Sequence, residues 1–89
     1  MPEETTEARV ERLVLEYAQS IPKRRPLEAH LSLRDDLAIE SLSLVSLTLR
    51  IGDEIGVDVM EVGVELGGVK TFGDLVRVAH SLERAGKPA

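Results

Sequence analysis

The chain contains no cysteine and no tryptophan, and its aromatic residues are Tyr17 and Phe72 alone. Without thiols it forms no disulfide, no thiolate metal site and no cysteine nucleophile. Aromatics at 2% offer no stacking platform for bases or sugars. Basic residues number 11 against 16 acidic ones, a net charge of −5. That balance opposes nucleic-acid phosphates and anionic membranes, and suits partners with basic docking surfaces. No apolar run is long enough to cross a bilayer, and residues 1–6 have neither a basic n-region nor an apolar h-region. A cytoplasmic protein without membrane insertion is therefore expected. His30 and His80 lack ligand-like spacing, so no metal site is expected.

What remains is aliphatic. Apolar residues make up 43% of 89 positions, most of them Leu and Val. This length holds one domain, residues 1–89, with 1–4 and 86–89 expected as tails. Val10, Leu13, Val14, Tyr17, Ala18 and Ile21 fall on one helical stripe opposite Glu7, Glu11, Arg12 and Gln19. Pro22 is expected to stop this first helix. Residues 23–40 read as one long connection in which Lys23, Arg24 and Arg25 form a solvated loop. Leu27, Leu31, Leu33 and Leu37 are expected to pin that connection to the core. Ser32 and Asp35 have the spacing of a capping box and imply a short helical turn.

A second helix is predicted from about Ser41 to Ile55, with Gly56 as its stop. Leu44, Leu47, Ile51 and Ile55 form one stripe; Leu42, Val45 and Leu49 form a second beside it. A helix apolar around so much of its circumference is expected at the centre of the fold. Gly52 interrupts it at a cost of about 1 kcal/mol relative to Ala. Residues 57–69 are rich in β-branched side chains, which with Gly63 leave a short strand open; the favoured reading is a short, irregular third helix around 60–66, ended by Gly67 and Gly68. Thr71 and Asp74 open a last helix with Phe72, Leu75, Val76, Ala79 and Leu82 buried, ended by Gly86 and Pro88. The fold class is all-α: a small antiparallel four-helix bundle with a long loop between helices 1 and 2 and a short irregular third helix.

The residue best placed for chemistry is Ser41. It lies where the loop becomes the second helix, beside the Glu40 carboxylate and at the positive end of a helix dipole. Free backbone N–H groups there accept a phosphate ester. Neither histidine is placed near it as a base, and there is no Gly-x-Ser-x-Gly elbow, so self-contained hydrolysis is not expected. The chain is not expected to be an enzyme. A serine modified by another enzyme needs only exposure and a tolerant electrostatic setting.

Asp36-Leu37-Ala38-Ile39-Glu40-Ser41-Leu42, followed by an apolar helix and Ile55-Gly56-Val57-Asp58-Val59, resembles the acyl carrier proteins. The hallmark of that family is Asp-Ser-Leu with an Asp-Leu pair a few residues upstream. The resemblance extends over most of the chain, through the amphipathic first helix, long loop, serine helix, weak third helix and closing Thr71-Asp74-Leu75 helix start. It implies that Ser41 receives 4′-phosphopantetheine from coenzyme A through a phosphopantetheinyl transferase, with Glu40 and Leu42 flanking the attachment. It further implies acyl groups held as thioesters and shuttled between ligases, ketosynthases or acyltransferases in fatty acid, lipid or polyketide-type biosynthesis. Leu42, Val45, Leu47, Leu49, Ile51 and Val64 become candidates for sheltering the acyl chain, although an aliphatic stripe at helical spacing is first of all core. A monomer is expected.

Two departures qualify the match. Glu40 stands where the family has Asp, and Ile55 replaces its usual aromatic near the helix end. Ser43 and Ser46 occupy positions where acids are common, and Arg50 adds a positive charge; Glu40, Asp53 and Glu54 are the acids left nearby. Glu40, Ser43, Ser46 and Arg50 are the partner-binding candidates, and they imply a specialised pathway whose recognition is less electrostatic. Other readings are a helical adaptor in which Ser41 is an ordinary N-cap, a peptidyl or aryl carrier, whose usual Gly-Gly-x-Ser context is absent, and more distantly a helix-turn-helix, which the acidity opposes.

Overall fold

A computed structural model describes residues 4–86. Its elements are α1 (Thr6–Tyr17), α2 (Ser41–Ile55), α3 (Val59–Val62), a single 3-10 turn (Leu66–Gly68) and α4 (Phe72–Gly86). The described residues contain no strand, only an isolated bridge between Ser32 and Thr71. Cross-helix side-chain pairs fix the directions. Arg12 reaches Glu54 at 2.7 Å and Glu16 reaches Arg50 at 3.7 Å, so α1 and α2 run antiparallel. Thr6 bonds Glu83 at 2.7 Å and Glu7 meets His80 at 3.0 Å, so α1 and α4 do too. The all-α bundle expected from the apolar periodicity is borne out.

The core is aliphatic, as the composition demands. Val10, Leu13 and Val14 from α1 meet Leu47 and Ile51 from α2 and Phe72, Leu75, Ala79 and Leu82 from α4. Burying each large side chain contributes about 1.5–3 kcal/mol. The long connection adds Leu27, Leu33, Leu37 and Ile39, all buried, with Leu31 packed against them. Backbone bonds hold it there. Gly73 N–H donates to the Ala29 carbonyl, Phe72 N–H to that of Leu31, and Leu33 N–H to that of Lys70, each at 2.9 Å. Position 73 must be small, because a β-carbon would lie 3.0 Å from Ala29 Cβ.

Several boundaries differ from the sequence expectation. The first helix ends at Tyr17 rather than at Pro22; Ala18 is extended and Ile21 is exposed. The N–H groups of Gln19 and Ser20 both turn to the Leu37 carbonyl, which draws the chain out of the helix before the proline. The Ser32 turn exists, but its reciprocal partner is Asp36, not Asp35: Asp36 Oδ2 accepts from Ser32 N–H at 2.7 Å while Ser32 Oγ accepts from Asp35 N–H. The third helix is shorter and earlier than residues 60–66. Asp58 caps its start, and Gly63 ends it in the left-handed region at φ 76°. Gly67 and Gly68 belong instead to the 3-10 turn. Of the expected tails, residues 1–3 and 87–89 lie outside the described residues, Glu4 pairs with Arg12 and Gly86 closes α4.

Candidate functional site

Ser41 is placed by the segment before it. Leu37 and Ile39 both point into the core, and Ile39 N–H donates to the Leu33 carbonyl at 2.8 Å. Ala38 between them adopts a left-handed conformation, φ 52°, which L-residues other than Asn or Asp seldom take. This kink leaves Glu40 extended as the N-cap of α2 and makes Ser41 the first helical residue, exposed to solvent. The N-cap position read for Ser41 in the adaptor alternative thus belongs to Glu40. The Glu40 side chain makes no capping hydrogen bond and the first turn contains no acid. The opening N–H groups of α2 therefore keep their capacity for an anion.

Ser41 stands between two hollows. One, of about 530 Å³, is bordered by Gln19, Ala38, Glu40 and Leu42; the other, of about 460 Å³, by Ser32, Leu44, Leu66 and Lys70. Arg34, Asp35, Ile39 and Ser41 border both. Leu66 also borders a third, smaller and mostly apolar hollow of about 200 Å³ between α2 and α3, with Val45, Leu49 and Val64 among its walls and Thr48 beneath. Thr48 is buried, and its hydroxyl donates to the Leu44 carbonyl at 2.8 Å, so the polar group is satisfied within the helix.

The structure thus brings Val45, Leu49 and Val64 together and separates Leu47 and Ile51 from them. Those two are fully buried in the main core and do not border the small hollow. The second stripe of α2 is not buried as a central helix would require: Leu42, Val45 and Leu49 are 83%, 45% and 39% exposed. α1, α4, the long connection and the short α3 all pack on α2, yet α3 is a single turn and leaves much of this second stripe in solvent. Exposed Met60 and Val62 of α3 extend this apolar surface. Of the partner-binding candidates, Glu40 and Ser46 are exposed, Ser43 is half-buried, and Arg50 is drawn toward Glu16 of α1 at 3.7 Å.

The displaced ionisations lie away from Ser41. Backbone N–H groups of Lys70 and Thr71, with the Arg77 guanidinium, hold the Asp74 carboxyl at about 2. Arg12 bonds Glu4 and Glu54 and keeps both carboxyls below their usual range. The backbone N–H of Glu7 itself, with His80, holds the Glu7 carboxyl below that range too. No cluster of metal-ligating side chains occurs among the described residues, and no helix there is long and apolar enough to cross a membrane. Sequence reasoning missed Arg34, Lys70 and Leu66. Arg34 and Lys70 border one hollow because Leu33 bonds Lys70 across the fold, and Leu66 falls in a segment without clear periodicity.

An acyl carrier protein of Rhodococcus erythropolis is 40% identical to the chain over 55 residues, 62% of this chain. The match spans 58% of that relative's length. No family model matches the chain. No solved structure matches it either. A curated relative thus shares the resemblance to acyl carrier proteins.

Proposed function

We propose that this chain is an acyl carrier protein, with Ser41 Oγ the attachment point of 4′-phosphopantetheine donated by coenzyme A. The observation that carries the reading is the exposed Ser41 hydroxyl at an uncapped helix start, set between two hollows of which one adjoins an apolar pocket. The donor set fits the group: the opening N–H groups of α2 suit its phosphodiester. Once attached, it supplies a flexible arm ending in a thiol that holds an acyl chain as a thioester. Val45, Leu49 and Val64 would shelter apolar cargo beside Leu66. Leu42 and Glu40 flank the attachment and meet the phosphopantetheinyl transferase. The test is co-expression with a broad-specificity transferase followed by intact-mass measurement. The wild type gains the mass of one arm and Ser41→Ala gains nothing; an unmodified wild type overturns the reading.

The carrier would serve ligases, ketosynthases or acyltransferases of a specialised fatty acid, lipid or polyketide-type pathway in the cytoplasm. From Ser41 to Gly52 α2 has no acid, while Leu42, Val45 and Leu49 face solvent. Partner binding then rests on apolar contact more than on charge. Its affinity should fall little as salt rises, since salt screens exposed charges over a Debye length of about 8–10 Å. Steep loss of affinity in salt would overturn this part.

A further inference from the structure

We infer that Arg34 and Lys70 form a cationic seat for the phosphodiester carried on Ser41, directing the attached arm toward the α3 side of α2. The inference rests on the reading of Ser41 as the attachment site.

Arg34 and Lys70 are 36 positions apart in the chain, yet both border the 460 Å³ hollow beside Ser41. The fold builds this juxtaposition. Leu33 N–H donates to the Lys70 carbonyl at 2.9 Å, next to the Ser32–Thr71 bridge. The Ser32–Asp36 bond then fixes the turn that carries Arg34.

Both cations keep their charge available. Arg9, Arg12, Arg24, Arg50 and Arg77 each have a carboxylate within 4.0 Å. Among the described residues no such partner is found for the side chains of Arg34 and Lys70. Three nearby carboxylates are engaged elsewhere, whereas that of Asp35, next to Arg34 in the chain, is not. Asp36 accepts from Ser32 N–H, Asp74 from Lys70 and Thr71 N–H and from Arg77, and Glu65 from Gly67 N–H. Asp35 and Glu40 are the acids left around the two hollows, and only Asp35 borders the one that holds Lys70.

A phosphodiester is a permanent monoanion, and charge-assisted hydrogen bonds from a guanidinium or ammonium are stronger than neutral ones. Arg34 borders both hollows, but Lys70 borders only the one that shares Leu66 with the apolar pocket. A phosphate drawn between the two cations therefore leans away from Glu40 and toward Leu66. Arg34 and Lys70 would be positioning residues, since they hold the tether and not the reacting thiol.

The test uses the arm-bearing full chain and its phosphorus resonance. In the wild type that resonance is expected to differ in position and width from that of a small-molecule phosphopantetheinyl serine ester. It should move toward the free value in Arg34→Gln/Lys70→Gln, and in the wild type as sodium chloride is raised. Attachment of the arm should also raise the wild-type melting temperature, with that gain lost in the double variant. Both residues are exposed, so the arm-free variant keeps the wild-type melting temperature. An arm-bearing wild type whose resonance matches the double variant and ignores salt overturns this inference alone. A chain that takes up no arm overturns the reading of Ser41 and this inference together.

Discussion

Gly52 lies against Val59: a β-carbon at position 52 would come within 2.4 Å of Val59 Cγ2 and 2.8 Å of the Val57 carbonyl oxygen. The glycine that seemed to weaken α2 is what lets the α2–α3 turn close onto it. Gly52→Ala improves helix propensity by about 1 kcal/mol but overpacks the contact at about 1–3 kcal/mol. A net loss of stability is expected in urea denaturation. Adding Val59→Ala should recover part of that loss, because the clash is with the valine methyl.

Ala38 carries backbone strain at φ 52° just ahead of Ser41. Relief of a left-handed L-residue is worth about 1–2 kcal/mol, and the added freedom of an unfolded glycine opposes it by about 0.4–1 kcal/mol. Ala38→Gly is therefore expected to stabilise by up to about 1.5 kcal/mol, and Ala38→Val to destabilise, both read from denaturation midpoints.

Thr71 and Asp74 cap α4 reciprocally: Thr71 Oγ1 accepts from Asp74 N–H and Asp74 Oδ2 accepts from Thr71 N–H, both at 3.1 Å. Thr71→Ala should cost about 1 kcal/mol, as loss of a cap does. The Asp74 carboxyl titrates at about 2 in the fold, against about 3.9 for an unfolded aspartate. Its folded value is depressed, so its contribution is present above about pH 4 and is lost as pH falls toward 2. Asp74→Asn should flatten that part of the stability–pH curve in melts between pH 5 and 2.

Leu42 and Met60 are 83% and 79% exposed on adjoining helices. Replacing either by serine should change folding stability by no more than about 0.5 kcal/mol. If partners dock on this apolar surface, the same changes lower partner affinity several-fold in a binding titration. Unchanged affinity would remove the surface from the recognition model.

The stretches that local chemistry governs were legible. The bounds of α2, Ser41–Ile55 with Gly56 as its cap, and the Thr71–Asp74 start of α4 follow from periodicity, a left-handed glycine and a short polar side chain, all acting within a few residues. The misreadings arose where distant groups intervene. Leu37 captures the N–H groups of Gln19 and Ser20 and ends α1 before Pro22. The exposure of Leu42, Val45 and Leu49 depends on how many neighbours the fold provides, which periodicity does not report. At the site, Ser41 was visible as a motif, whereas the placing of Arg34 and Lys70 on one hollow depends on pairing across the chain.

The segment between α1 and α2 looks dispensable on a diagram of helices, yet it supplies four of the buried side chains, Leu27, Leu33, Leu37 and Ile39. It behaves as a missing wall of the bundle, built without regular structure. Engineering should treat its two halves differently. Extra residues spliced in around exposed Lys23–Arg25 would disturb only surface contacts such as the Arg24–Glu28 pair, while the same splice between Leu31 and Ile39 would shift the serine's footing along with the hydrophobic interior.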